Sequence, residues 1–240
     1  MYSSNTDIEN WKILITGGSA GIGKATARRL RDLGADVLIT GPDESRLKPA
    51  ARAAGCNWVR ADVSVEADVA RTYDWIEEHW NGRLDALINN AGIGEFAPVE
   101  EAAMESYHRV MGVNFFGPVH MTRLAIPLMR KQKGGVIINI GASSAFRGFA
   151  NGSIYASSKF ALRGFTECLR EEVRNQNIRV CFVSPSEVTS AFGNPERGER
   201  KPVRSKLAPD HLAGVIVSIL SMPADALIPE ISVWATNPLY

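Results

Sequence analysis

Between Ile138 and Lys159 the chain reads INIGASSAFRGFANGSIYASSK, with Tyr155 four residues ahead of Lys159 and five serines in between or before them. On a helix, positions four apart share a face, so the ammonium lies near the phenol and favours its ionised form. An unperturbed tyrosine, with a pKa of about 10, exchanges protons poorly near neutrality, and a cationic neighbour draws it toward the working range. The pair is a candidate general acid. By itself the spacing arises easily by chance, and a packed ring beside a solvated amine explains it as well.

Other stretches give the pair its setting. TGGSAGIG, Thr16 to Gly23, follows the apolar run KILIT and opens a helical pattern carrying Ala25, Ala27 and Leu30. A glycine-rich turn there lets backbone amides and a helix N-terminus approach a pyrophosphate, with Gly17, Gly21 and Gly23 removing side chains that would clash. Tight turns also require glycine, so this signal is weak alone. DALINNAG places Asn89, Asn90, Ala91 and Gly92 at the end of another apolar run, where amides and small residues suit bonding to the neighbouring loop. Asp62, followed by Val63, could accept from an adenine amino group or cap a helix.

The elements that must hold these residues alternate along the chain. KILIT (12–16), DVLIT (36–40), NWV (57–59), DALIN (85–89), GVIINI (135–140), IRVCFV (178–183) and ISVWA (231–235) read as strands apolar on both faces. Between them, Val65, Val69, Thr72, Ile76 and Trp80 recur at helical spacing after a Ser64 cap, with Gly82 as the stop. Ala161, Phe165, Cys168, Leu169 and Val173 form a second helical stripe. Repeated strand–helix units imply an α/β fold with a parallel, doubly wound sheet in a single domain spanning 1–240.

Composition narrows the partners. A net charge of +1 across 240 residues leaves no electrostatic footprint for nucleic acid, and nothing approaches a membrane span or a signal peptide. Cys56, Cys168 and Cys181 are widely spaced and are expected to be reduced, buried or half-buried thiols. The four histidines are equally scattered, so no metal site is expected. A small-molecule ligand and a cytoplasmic protein are the expectation. The compositional break at 193–209, GNPERGERKPVRSKLAP, reads as a mobile surface loop in which Arg197, Arg200, Lys201, Arg204 and Lys206 outnumber Glu196 and Glu199. An anionic handle on the substrate would find attraction there, although a merely solvated loop accounts for it too.

In order, TGGSAGIG, NNAG, VNFFG around Asn114, YASSK and PSEV resemble the short-chain dehydrogenase/reductase family, in particular its short, single-domain, ketoacyl reductase-like members. The resemblance runs from Lys12 to about Pro238 and implies a Rossmann-type domain of about seven parallel strands. It also implies a hydride transfer between nicotinamide and a ketone or secondary alcohol. Tyr155 would exchange the proton, Lys159 would lower its pKa and hold the nicotinamide ribose, and Asn114 would anchor a water. Gly17, Ser19, Gly21, Ile22 and Gly23 would meet the cofactor phosphates, Thr40 and Gly41 its adenosine ribose, and Asp62 and Val63 the adenine. Asn90, Ala91 and Gly92 would flank the cofactor, with Pro185 and Val188 near the nicotinamide. Members of the family pair through the helices after Ala103 and Tyr155, which implies a homodimer or homotetramer.

Two departures from the family pattern matter. Gly41 stands where NAD-preferring relatives place an acidic residue; the missing repulsion favours NADP, although Pro42 stands where NADP-preferring relatives often carry arginine, and NAD stays open. Counting back from Tyr155, Ala142 occupies the position of the substrate-orienting serine. If the strand persists, Ser143 points to the opposite face and Ser144 regains it about 6.6 Å further on. Three accounts stay open: a loop shift that lets Ser143 replace the hydroxyl, a weakened relative, or an engineered alanine. Ser143 is carried as the candidate, with an impaired site as the expectation and a cofactor-sensing protein without turnover as the alternative.

Overall fold

The computed structural model describes residues 7–190, 192, 203 and 205–237. Its seven strands are β1 Lys12–Thr16, β2 Asp36–Gly41, β3 Asn57–Arg60, β4 Ala86–Asn89, β5 Gly135–Ile140, β6 Ile178–Pro185 and β7 Glu230–Val233. They form one parallel sheet in the order β3-β2-β1-β4-β5-β6-β7. Strand order reverses between β1 and β4, which opens a crevice at the carboxyl edge where open α/β sheets take ligands.

The two-sided apolar strands build a core on each face of the sheet. Ile13, Ile15, Val37, Ile39, Ala86, Ile88, Val136 and Ile138 point to one side, and the alternating Leu14, Leu38, Leu87 and Ile137 point to the other. Helices α1 (Gly21–Asp32), α2 (Glu44–Ala54) and α7 (Pro209–Leu220) cover the first side through Ala27, Leu30, Leu47, Leu212 and Ile216. On the opposite face lie α3 (Glu66–Trp80), α5 (Gly117–Lys131) and α6 (Ser153–Val173), with Val69, Ile76, Met121, Met129, Leu169 and Val173 inward. The remaining helix, α4 (Met104–Met111), leads into α5.

Some helix details differ from the sequence reading. Val65, not Ser64, occupies the cap position of α3 and is 44% exposed, because Asp62 Oδ1 has already taken the Ser64 hydroxyl at 2.7 Å. Cys168 is exposed rather than part of the α6 stripe, while Cys181 is buried in β6. Most of the loop from 193 to 209, with Glu196, Arg197, Glu199, Arg200, Lys201 and Arg204, lies outside the described residues. Among the described residues no helix is long and apolar enough to cross a membrane, and no cluster of His, Cys, Asp or Glu has metal-site geometry.

Two features tie the core to the helix that carries Tyr155. Asn89 donates to Asn139 Oδ1 and Asn139 donates to Thr166 Oγ1, each at 2.8 Å, so a buried polar chain links β4, β5 and α6. Beside it, Phe182 packs with Ala145 and Leu162, and its ring fills the space where a Cβ on Gly141 would stand. Phe182→Ala should therefore destabilise the fold by about 3–5 kcal/mol, read as a lower urea midpoint at unchanged slope.

Candidate active site

At the end of β1 the chain turns straight into α1. Gly17 and Gly21 sit at φ +66 and +53, the left-handed region that glycine enters without strain. A Cβ on Gly17 would stand 2.8 Å from Ala91 Cα, and one on Gly23 2.5 Å from the Gly17 carbonyl oxygen. Asn90 locks the turn: its Nδ2 donates to the carbonyls of Thr16 and Gly17 at 2.9 and 3.1 Å. The amides of Asn90 and Ala91 both donate to Thr16 Oγ1 at 3.0 Å. Helix α1 begins with Ala20 in the cap position, no side-chain cap and no acidic residue in its first turn. The amides of Gly21, Ile22 and Gly23 and the positive end of the helix dipole are thus left for an anion, and the turn fits a dinucleotide pyrophosphate.

The ribose end lies beside it. Gly41 is buried, with the space of its missing Cβ 3.7 Å from Ser19 Oγ, and the neighbouring Thr40 Oγ1 is buried without a hydrogen-bond partner. Arg60 pairs with Gly41 across β2 and β3, and its Nε donates to the Pro42 carbonyl at 3.1 Å. Sequence reasoning missed this cation, because only strand pairing brings it to Gly41. Asp62 Oδ1 accepts from the Ser64 amide at 2.9 Å as well as from its hydroxyl, so Asp62 shapes the turn that carries Val63.

Between α4 and α5 the helix widens into a π turn, Gly112–Phe116, a rare form that recurs at functional sites. Within it the buried Asn114 donates to the Ile93 carbonyl at 2.9 Å and to Ser158 Oγ at 3.0 Å, and accepts from the Ile93 amide at 2.8 Å. A Cβ on Gly92 would lie 3.4 Å from Asn114 Oδ1 and 3.6 Å from Lys159 Nζ. Glycine keeps that gap open, with an acceptor on one side and a donor on the other, as an ordered water requires.

Lys159 is buried and donates to the Ile140 carbonyl at 3.0 Å, which leaves burial to pull its ammonium down to a pKa of about 8. Its nitrogen is 5.8 Å from the centroid of the Tyr155 ring. Tyr155 is half-buried, and burial pushes the phenol pKa up. The expected lowering by Lys159 is absent in the free chain. The ammonium is turned to Ile140, and burial penalises the phenolate more than anything nearby favours it. Rings of Phe96 and Phe192 stand edge-on to Tyr155 at 5.6 and 5.5 Å, with Phe149 beyond Phe96 at 6.0 Å.

The serines resolve differently from expectation. Ala142 is still extended, at φ −166 and ψ 164, but Ser143–Ala145 form a 3-10 turn closed by the Ala145 amide on the Ala142 carbonyl at 2.9 Å. The turn leaves Ser143 half-buried and makes Ser144, not Ser143, the hydroxyl that faces the Tyr155 phenol and opposes the effect of burial there. Ser144 Oγ is buried and has no hydrogen-bond partner.

After β6, which ends at the buried Pro185, Val188 bridges to Leu207 and the Thr189 amide donates to the Leu207 carbonyl at 2.8 Å. Ser190 then comes back over α1, with its Cβ 3.3 Å from the space of a Cβ on Gly21. Lys206 pairs with Glu187 instead of facing the crevice alone.

Residues 12–201 match the family model for short chain dehydrogenases. A sepiapterin reductase of Chlorobaculum tepidum is 30% identical over 237 residues, 94% of this chain and 96% of the relative. A 3-ketodihydrosphingosine reductase of Bacteroides thetaiotaomicron is 38% identical over 180 residues, 75% of this chain but 65% of that protein's length. A serine dehydrogenase solved in its closed form with NADP+ superposes with a TM-score of 0.85 at 27% identity, covering 92% of this chain and 94% of its own. With the glycine turn, the Asn114 turn and the Tyr155–Lys159 pair brought to one sheet edge, the chain belongs to the short-chain dehydrogenase family of oxidoreductases.

Proposed function

We propose that this chain reduces a neutral, apolar ketone to a secondary alcohol at the expense of NADPH. One observation carries the reading: the half-buried Tyr155 and the buried ammonium of Lys159 lie together at the carboxyl edge, beside a glycine turn fit for pyrophosphate. When bound, the nicotinamide supplies the hydride that goes to the carbonyl carbon. Tyr155 gives its proton to the carbonyl oxygen, and a raised pKa keeps that proton in place at neutral pH. Lys159, charged below about pH 8, is the cation that stabilises the phenolate left behind. Asn114 and the gap over Gly92 offer a path by which a water returns the proton.

Arg60 and the absence of a carboxylate at Gly41 support NADP over NAD, since a 2′-phosphate would meet a guanidinium and no repulsion. Solved relatives with NADP+ bound point the same way. The substrate class follows from the rings: Phe96, Phe149 and Phe192 remain 49%, 51% and 42% exposed around the phenol, an apolar wall for a neutral carbonyl compound. Exposed Phe116 at the end of the π turn, Leu124 on α5 and Phe160 on α6 support a homodimer or homotetramer.

Tyr155→Phe should lower the rate of NADPH-dependent reduction of an aryl ketone by about 10²- to 10⁴-fold and leave NADPH affinity, read by fluorescence quenching, unchanged. Full turnover without the phenol excludes the mechanism. Arg60→Ala should reduce the preference for NADPH over NADH by about tenfold or more, measured as the ratio of kcat/KM for the two cofactors; an unmoved ratio removes Arg60 from the site.

The buried ammonium also sets a pH dependence of stability. Between about pH 8 and its ordinary value of 10.5, the unfolded chain holds a proton that the folded one has released. Stability of the cofactor-free protein relative to Lys159→Met should therefore be constant below pH 8 and rise as pH climbs through that window. Paired urea melts at pH 7 and pH 10 measure the difference, and a constant gap contradicts the burial of a charged Lys159.

A further inference from the structure

We propose that Ser144 donates the hydrogen bond that holds the substrate carbonyl oxygen beside Tyr155, in place of a side chain at position 142. The inference rests on the reductase reading and adds a substrate-contacting residue to it.

The backbone is its first support. β5 ends at Ile140, Ala142 is extended, and the chain then coils at once into the turn Ser143–Ala145. In a continued strand the side chains of 142 and 144 would share a face about 6.6 Å apart. The turn takes up that rise, so the hydroxyl two residues after Ala142 is the one delivered to the phenol. Neighbouring contacts fix the turn: Gly141 donates to the Val183 carbonyl at 2.8 Å, the Ala145 amide closes on Ala142, and Ala145 packs against Leu162 and Phe182.

The second support is the state of the hydroxyl. Ser144 is 8% exposed, and its Oγ has no hydrogen-bond partner. A buried hydroxyl left unpaired is costly and is retained where a ligand completes it. Thr26, Thr40, Ser184 and Thr189 also carry unpaired buried hydroxyls, but only Ser144 stands against the Tyr155 phenol, where it favours the ionised form. A carbonyl oxygen between the two groups would accept from both. Tyr155 loses its proton as hydride reaches the carbonyl carbon, and Ser144 keeps its own, so two donors converge on the developing alkoxide and only one is consumed. Ala142 is then no defect, because its methyl leaves room next to a hydroxyl that comes from elsewhere.

Four proteins test this: the parent chain, Ser144→Ala, Ala142→Ser, and the double variant. Each is assayed for NADPH-dependent reduction of 1-phenylpropane-1,2-dione, with NADPH affinity measured in parallel and Tyr155→Phe as the control for the underlying reaction. Ser144→Ala should lower kcat by about 10²-fold with NADPH affinity unchanged, and adding Ala142→Ser to it should recover about tenfold or more of the loss. Ala142→Ser alone should change kcat by less than about threefold. Wild-type turnover in Ser144→Ala with loss in Tyr155→Phe would overturn the role of Ser144 while leaving the reductase reading intact. A hundredfold gain from Ala142→Ser alone would overturn it too, since the site would then lack the hydroxyl.

Discussion

Parallel pairing of β1, β4 and β5 is the constraint on which the site depends, because it brings Thr16, Asn90 and Ile140 to one edge of the sheet. The glycine turn, Lys159 and the serine turn are each fastened to one of those strand ends. Asn90 clasps the glycine turn through the carbonyls of Thr16 and Gly17. Lys159 is aimed by the carbonyl of Ile140. The serine turn leaves the sheet after Gly141, which is itself bonded to β6. A shift of register in any of these pairs would scatter the groups by several ångströms, more than a proton or hydride transfer tolerates.

The same edge is also where the fold carries electrostatic cost. A buried ammonium with no carboxylate beside it among the described residues, a half-buried phenol and a serine hydroxyl without a partner all sit within a few side chains of one another. Beneath them the side chains of Asn89, Asn139 and Thr166 are joined by hydrogen bonds that tie β4, β5 and α6 together. Unmatched groups held on a hydrogen-bonded support are what a preorganised site requires: the support holds the geometry, and the ligand completes the bonds.

Sequence alone exposed the strands well, because residues such as Ile13, Leu14 and Ile15 are apolar on both faces and only a sheet covered twice can bury them. The glycine turn, the Asn114 turn and the Tyr155–Lys159 pair were legible as local spacings. What depends on contacts across strands was not. Arg60 meets Gly41 only through the β2–β3 ladder, and nothing in RADV announces it. Ser64 reads as a helix cap, yet Asp62 two residues earlier competes for the same hydroxyl and wins. Spacing suggested that Lys159 would acidify Tyr155. Proximity on a helix face says nothing of burial, which raises the phenol and lowers the amine together.

The alanine at 142 shows how a residue count can mislead where a strand ends. Counting assigns a function to a position, whereas chemistry requires only that a donor reach the substrate oxygen. With the backbone extended, two residues separate side chains on one face by more than a hydrogen bond can span. Once the chain coils, the same two residues bring a later hydroxyl to an earlier place. Ser143 and Ser144 are indistinguishable by composition, and the onset of the turn at Ser143 selects between them. The choice is then maintained from the neighbouring strand β6, because Phe182 occupies the space over Gly141 and packs against Ala145, fixing where the strand must stop.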